Sequence, residues 1–124
     1  MHLPSSRALV IVTFSTIVIT ACAASIGPAA PVVTPAGVRF ALVLPDARSV
    51  ALAGTFNQWS SSTHPLARER SGIWQLMVSL PPGEHLFMYV VDGTRWVTPP
   101  LAEDFVDDGF GSKNGVVVVR PSER

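Results

Sequence analysis

Apolar side chains recur at every second position in several short segments of this chain, which is the period of a strand with one buried face. The alternation runs through 38–44, 49–56, 73–80 and 84–91, and a further apolar segment covers 116–119. Eleven prolines and nine glycines punctuate the 124 residues. Because such frequent breaks exclude long helices, the pattern predicts an all-β domain of about six to eight short strands.

Turn-forming residues separate these segments. The Pro-Pro-Gly sequence at 81–83 lies between the third and the fourth. Asp92-Gly93 tolerates the positive φ of a tight hairpin, so Trp96 and Val97 are predicted to lie on a returning strand. Short strands joined by frequent turns are typical of a β-sandwich.

The N-terminal segment has a different pattern. Arg7 precedes an uninterrupted apolar or hydroxyl-bearing run at 8–19, which is the layout of a signal peptide. The run is shorter than the about 20 residues of a membrane span. The Ile-Thr-Ala-Cys sequence that ends at Cys22 resembles the bacterial lipobox, and this resemblance implies cleavage before Cys22 and lipidation of that cysteine. We therefore predict a lipoprotein signal peptide at 1–21.

Two alternatives to the lipoprotein interpretation remain: a secretory signal cleaved near Ala24, or an uncleaved anchor helix. In a bacterium with two membranes the lipobox resemblance also implies sorting to the outer membrane, because Ala23 rather than aspartate follows the cysteine. The Pro- and Ala-rich residues 22–36 have no apolar period and are predicted to be a flexible tether. The sandwich is predicted at 37–120, followed by a polar tail at 121–124.

Charge and cysteine content exclude several classes of function. Nine basic and nine acidic residues give a net charge of zero, so nothing in the charge favours nucleic acid as a partner. Cys22 is the single cysteine, and alone it forms neither an intramolecular disulfide nor a thiolate metal site. We predict no metal and no cofactor.

Five short motifs follow one another along the predicted domain. They are G-x-F-N-x-W at 54–59, G-x-W at 72–74, P-x-G-E-H at 81–85, V-D-G at 91–93 and F-G-S-K-N at 110–114. In this order they resemble the glycogen-binding domain of the AMP-activated protein kinase β subunit and the family 48 carbohydrate-binding modules. The resemblance covers about 38–119 and implies an immunoglobulin-like, early-set β-sandwich that binds α-glucan without catalysis.

The resemblance also implies which residues bind the sugar. Trp59 and Trp96 would be stacking platforms for the flat C–H face of a glucose ring. Four further residues would complete the site: Met88, Phe110, Ser112 and Asn114, the last as a hydrogen-bonding partner of sugar hydroxyls. The kinase domain has a lysine where this chain has Met88.

The length of the Asp92-Gly93 turn decides whether Trp96 can join this site. A two-residue turn would place Trp96 opposite Tyr89. A three-residue turn at 92–94 would pair Trp96 with Val90 and return it to the face that carries Met88. Sugar binding requires the second register.

Other aromatic and polar residues have structural interpretations. Trp74 is in phase with the apolar positions of its strand, so we predict it in the core. Asn114 followed by Gly115 is a possible turn former as well as a ligand. His64 is predicted in a loop, and His85 is predicted to be structural at a strand start.

Catalysis would require opposed carboxylates or an activated nucleophile. The acidic residues Glu103, Asp104, Asp107 and Asp108 crowd one segment without an evident opposed partner, so we predict a solvated turn and no enzymatic activity. The same segment lacks the twelve-residue spacing of a calcium loop. The alternative to sugar binding is a protein-interaction module of the cell envelope, because one fold hosts many functions.

Overall fold

The computed structural model describes residues 11–13 and 30–121. Predictions that fall on 1–10, 14–29 and 122–124 lie outside the described residues; they include most of the signal peptide, Cys22 and most of the polar tail. Among those described, no helix is long and apolar enough to cross a membrane.

Nine strands and two short 3₁₀ helices make up the described domain. The strands are β1 (Val32–Thr34), β2 (Gly37–Val43), β3 (Val50–Gly54), β4 (Ala67–Arg68), β5 (Ile73–Val78), β6 (Gly83–Val91), β7 (Arg95–Val97), β8 (Asp104–Asp107) and β9 (Lys113–Val119). The 3₁₀ helices cover Thr55–Asn57 and Arg70–Gly72.

The strands form two antiparallel sheets. The first has the order β1-β2-β5-β4, and the second has the order β3-β6-β9-β8, with β7 also pairing with β6. This arrangement confirms the predicted all-β, immunoglobulin-like sandwich.

Alternate positions of the facing strands build the core, as the period of two predicts. Phe40 of β2 and Phe87 of β6 are fully buried and meet edge to face, with ring centroids 5.0 Å apart. Burying such a side chain contributes about 1.5 to 3 kcal/mol. Trp74 is buried and donates its indole N–H to the Leu44 carbonyl at 3.0 Å, which confirms its predicted place in the core. Burial also raises the pKa of the Tyr89 hydroxyl.

Several element boundaries differ from the prediction. The predicted strand 49–56 ends at Gly54, where the chain turns into the first 3₁₀ helix. β4 and β8 were not predicted, because both are short and exposed and so lack a buried alternate face.

The predicted tether contains a strand. Val32–Thr34 pairs with the start of β2, and the Thr34 hydroxyl donates to the Gly37 carbonyl at 2.7 Å. The folded part therefore begins before residue 37. Three residues are too few to show a hydrophobic period, and this strand is held by backbone pairing along the edge of the first sheet.

Candidate functional site

The G-x-F-N-x-W segment begins with a glycine that the packing requires. A Cβ on Gly54 would lie 2.4 Å from the Leu86 carbonyl oxygen and 2.5 Å from Cε1 of Phe56. Both neighbours are fixed, since Leu86 belongs to β6 and Phe56 packs against the core. Any larger residue would push β3 away from this end of β6.

Asn57 holds the turn together through its side chain. Its Oδ1 accepts from the Gly54 N–H at 2.9 Å, and its Nδ2 donates to the Leu52 carbonyl at 2.9 Å. Nδ2 also lies 2.9 Å from Nδ1 of His64, within hydrogen-bond distance. The motif asparagine is thus a scaffold for the segment that follows it.

That scaffold fixes the position of Trp59. Gln58 and Trp59 both have left-handed backbone, with φ of 55° and 58°, a conformation that costs about 1 to 2 kcal/mol for a residue with a Cβ. The Trp59 N–H donates to the Gly54 carbonyl at 2.9 Å. The turn lays the indole on the outer face of the second sheet, against a small apolar cluster of Ala51, Ala53 and Val90.

Trp96 reaches the same face through the β6–β7 hairpin. It pairs with Val90 across a three-residue turn, Asp92 to Thr94, so the register that places Trp96 beside Met88 is the one observed. Trp96 remains 45% exposed, so part of its surface is accessible to a ligand.

Asp92 has a role in this hairpin that sequence reasoning missed. Its φ of 53° fits the predicted turn, but its carboxylate also accepts from the N–H groups of Arg48 and Ser49 at 2.7 and 3.1 Å. These two backbone hydrogen bonds lower the pKa of Asp92. The partners lie more than forty residues away, so no local pattern could have indicated them.

Asn114 and Phe110 approach from the β8–β9 hairpin. Asn114 lies within β9, paired with Val106, so the turn-former interpretation is wrong. Phe110 is at the tip of the preceding loop and is 93% exposed. Gly109 and Gly111 on either side of it have φ of 83° and 90°, which present this aromatic ring to solvent at the mouth of the site.

These elements enclose one open groove of about 640 Å³. Its lining consists of Thr55, Trp59, Leu86, Met88, Trp96, Asp108, Phe110 and Asn114. Five of the six residues predicted for the site are therefore brought together. Ser112 is not among them: it is exposed, and its N–H is held by the Asp108 carboxylate at 3.1 Å.

Three lining residues were not predicted. Thr55 and Leu86 are adjacent because the Leu86 N–H donates to the Thr55 hydroxyl oxygen at 3.2 Å. Asp108 was assigned to a solvated turn, yet it is half-buried beside the groove. The fold brings these three residues to the groove from separate parts of the chain. No local sequence pattern therefore predicts that they line the site.

The groove lining combines flat apolar faces with a few polar groups. Two indoles and a phenyl ring supply flat apolar faces, Met88 lies in the lining with only 5% exposure, and Asn114 supplies an amide. Within 11–13 and 30–121, no group of three histidine, cysteine or acidic residues is placed to hold a metal ion.

Comparison with known proteins identifies the family. The glycogen recognition site of AMP-activated protein kinase matches residues 43–124, which include every residue that lines the groove. The chain belongs to this family of carbohydrate-binding modules.

Relatives of the module are parts of much larger enzymes. The 1,4-alpha-glucan branching enzyme GlgB 2 of Rhizobium etli is 42% identical over 91 residues, which cover 72% of this chain and 12% of the enzyme. GlgB 1 of Xanthomonas axonopodis pv. citri is 45% identical over 70 residues, or 55% and 10% of the two chains. GlgB of Pseudomonas syringae pv. syringae is 40% identical over 65 residues, or 51% and 9%. The chain thus spans about a tenth of the length of these curated relatives.

Proposed function

We propose that this domain binds α-glucan, of the glycogen or starch type, by aromatic stacking and without catalysing a reaction. The observation that carries the proposal is the meeting of Trp59, Trp96 and Asn114 at one open groove. Family membership and the similarity to glucan branching enzymes point to the same ligand class.

The physical basis is complementarity between an indole and a pyranose ring. A glucose unit presents a flat patch of C–H groups with hydroxyls around its rim, so two aromatic faces and one amide satisfy both parts. The strands and hydrogen bonds that hold Trp59 and Trp96 reduce the entropy lost on binding. A single open groove of this size is expected to bind with a dissociation constant of about micromolar to millimolar, or roughly 4 to 8 kcal/mol.

Affinity electrophoresis through gels containing glycogen or amylose tests this proposal. The full chain is run in a polyoxyethylene detergent, since maltoside detergents would compete for the site. We expect glucan to retard the wild type, and we expect Trp59→Ala and Trp96→Ala each to weaken binding at least tenfold, or about 1.4 kcal/mol. Phe105→Ala is the matched control, because Phe105 is an aromatic that is 39% exposed but outside the groove lining.

A protein-binding role is the second candidate function. It is favoured by Met88, which stands where the kinase domain has a lysine, and by the full exposure of Phe110, a typical anchor for a protein partner. Absence of retardation on every glucan, with the fold intact by circular dichroism, would exclude sugar binding in favour of this role.

The N-terminal sequence supports a further proposal about location. We propose that Cys22 is lipidated and that the domain is displayed on the cell envelope, where several anchored copies would bind one long polysaccharide with avidity. Labelling of the expressed chain with palmitate, lost in Cys22→Ser, is the expected result. Unlabelled wild-type protein would contradict the anchor without affecting the glucan proposal.

A further inference from the structure

Asp108 connects the end of β8 to the loop that carries Phe110. Its Oδ1 accepts from the Phe110 N–H at 2.7 Å and from the Ser112 N–H at 3.1 Å, while its own N–H donates to the Ser112 carbonyl at 3.0 Å. One carboxylate therefore fixes both ends of the short loop around Phe110. The loop has glycine on either side of its aromatic residue, so this carboxylate is its main local restraint.

The same side chain gives the groove its charge. Asp108 is the only acidic residue among the eight that line the groove, and none of the eight is lysine or arginine. The nearest basic residue in sequence, Lys113, is exposed and pairs in register with Asp107 on the edge of the sheet. A negative charge beside apolar walls is screened less than one in open solvent.

The second oxygen of the carboxylate makes no hydrogen bond among the described residues, and Asp108 is one of the residues that line the groove. Within the described residues, the hydrogen bonds to Asp108 reach Oδ1 only. Oδ2 can accept from a sugar hydroxyl, and a hydrogen bond to a charged acceptor is stronger than one to a neutral acceptor. A phosphate or carboxylate on the sugar would instead bring two negative charges together.

We infer that Asp108 determines the specificity of the groove, selecting uncharged glucans and excluding phosphorylated or otherwise anionic ones, while it positions Phe110 at the groove mouth. This inference rests on the proposed function and refines its ligand class. The charge of the carboxylate and the loop contacts of Oδ1 are separable, because asparagine keeps an oxygen that accepts the two N–H bonds but removes the charge.

The test compares two ligands against three variants. Binding of the full chain to a linear maltooligosaccharide and to the same oligosaccharide phosphorylated at one 6-hydroxyl is measured by calorimetry at about 50 mM salt. We expect the wild type to bind the neutral sugar at least fivefold more tightly. Asp108→Asn should reduce this ratio severalfold and weaken neutral binding less than Asp108→Ala does, because its amide group can still form a hydrogen bond with a sugar hydroxyl. Asp107→Asn, an acidic residue outside the lining, is the control and should keep the wild-type ratio.

The salt dependence of this preference distinguishes an electrostatic cause from a steric one. The wild-type preference should shrink at about 1 M salt, where the Debye length is about 3 Å, whereas a steric preference would not change. An unchanged ratio in Asp108→Asn, or equal binding of both sugars by the wild type, would overturn the specificity role of Asp108 and leave the proposed function intact. Failure of the wild type to bind either sugar would instead overturn the proposed function.

Discussion

The two walls of the groove are built in opposite ways. Trp59 lies on a wall fixed by Asn57, by left-handed backbone and by packing on the alanines of β3. Phe110 projects from a loop that one carboxylate holds and that glycine flanks on both sides. The first wall is part of the folded core, and the second is 93% exposed at its tip.

This difference predicts that the two walls contribute differently to the stability of the fold and to the affinity for a ligand. A wall that is rigid before binding loses little entropy when a ligand arrives, so its contacts contribute most to affinity. A loop that is held by one carboxylate and has an almost fully exposed tip loses more freedom on binding, and this loss offsets part of what its contacts contribute. We expect changes in the first wall to affect stability and affinity together, and changes in the second to affect affinity alone.

The largest expected effect is on the rigid wall. Asn57→Ala removes four hydrogen bonds from a half-buried side chain and leaves the Gly54 N–H and the Leu52 carbonyl without this partner. Each unsatisfied buried group costs about 1 to 3 kcal/mol, so the free energy of unfolding should fall by about 2 to 4 kcal/mol in urea titrations.

Asn114→Ala is the matched control, because no hydrogen bond of its side chain is seen among the described residues. It should change the free energy of unfolding by less than about 0.5 kcal/mol. Equal destabilisation by the two variants would remove the distinction between a scaffold asparagine and a groove asparagine.

A smaller effect is expected on the loop wall. Phe110→Ala should leave the free energy of unfolding unchanged, since the ring is almost fully exposed. It should weaken glucan binding by about 0.5 to 1.5 kcal/mol, the contribution of an aromatic contact, when measured by the same gel assay. A fall in the unfolding midpoint would show that the loop belongs to the core after all.

The smallest expected effect is on the pH dependence of stability, and it concerns the hairpin that carries Trp96. Hydrogen bonds from Arg48 and Ser49 lower the pKa of Asp92 in the folded state. A lowered folded pKa stabilises the fold above the unfolded value of about 3.9, and this contribution is lost as the pH falls through the folded pKa.

Urea midpoints between about pH 6 and pH 2.5 measure this contribution, over a range that brackets the unfolded pKa of about 3.9. The wild type should lose stability relative to Asp92→Asn as the pH falls, because the variant keeps an acceptor oxygen but has no charge to titrate. Asp46→Asn, which removes another exposed acid, is the control. If Asp92→Asn follows the wild type over the whole range, the carboxylate does not stabilise the hairpin through its charge.

Much of the fold follows from local patterns in the chain. The period of two predicted the strands that bury Phe40, Trp74 and Phe87, because a residue's face in a strand depends only on its neighbours. The same pattern missed β1 and β8, which have too few buried residues to show a period. Edge strands of this kind are fixed by pairing with a partner distant in the chain.

The features of the site also divide into those that the sequence predicted and those that it did not. The sequence alone determined that Trp59 follows a strand, that Asp92-Gly93 makes a turn, and that five ordered motifs place the chain in a glycogen-binding family. Only the tertiary structure decided the three-residue turn that pairs Trp96 with Val90, and the withdrawal of Ser112 from the groove. The tertiary structure also decided that Asp108 lines the groove. Turn residues fix where a chain can reverse, but pairing and packing between distant strands fix the register, and the register decides which side chains meet.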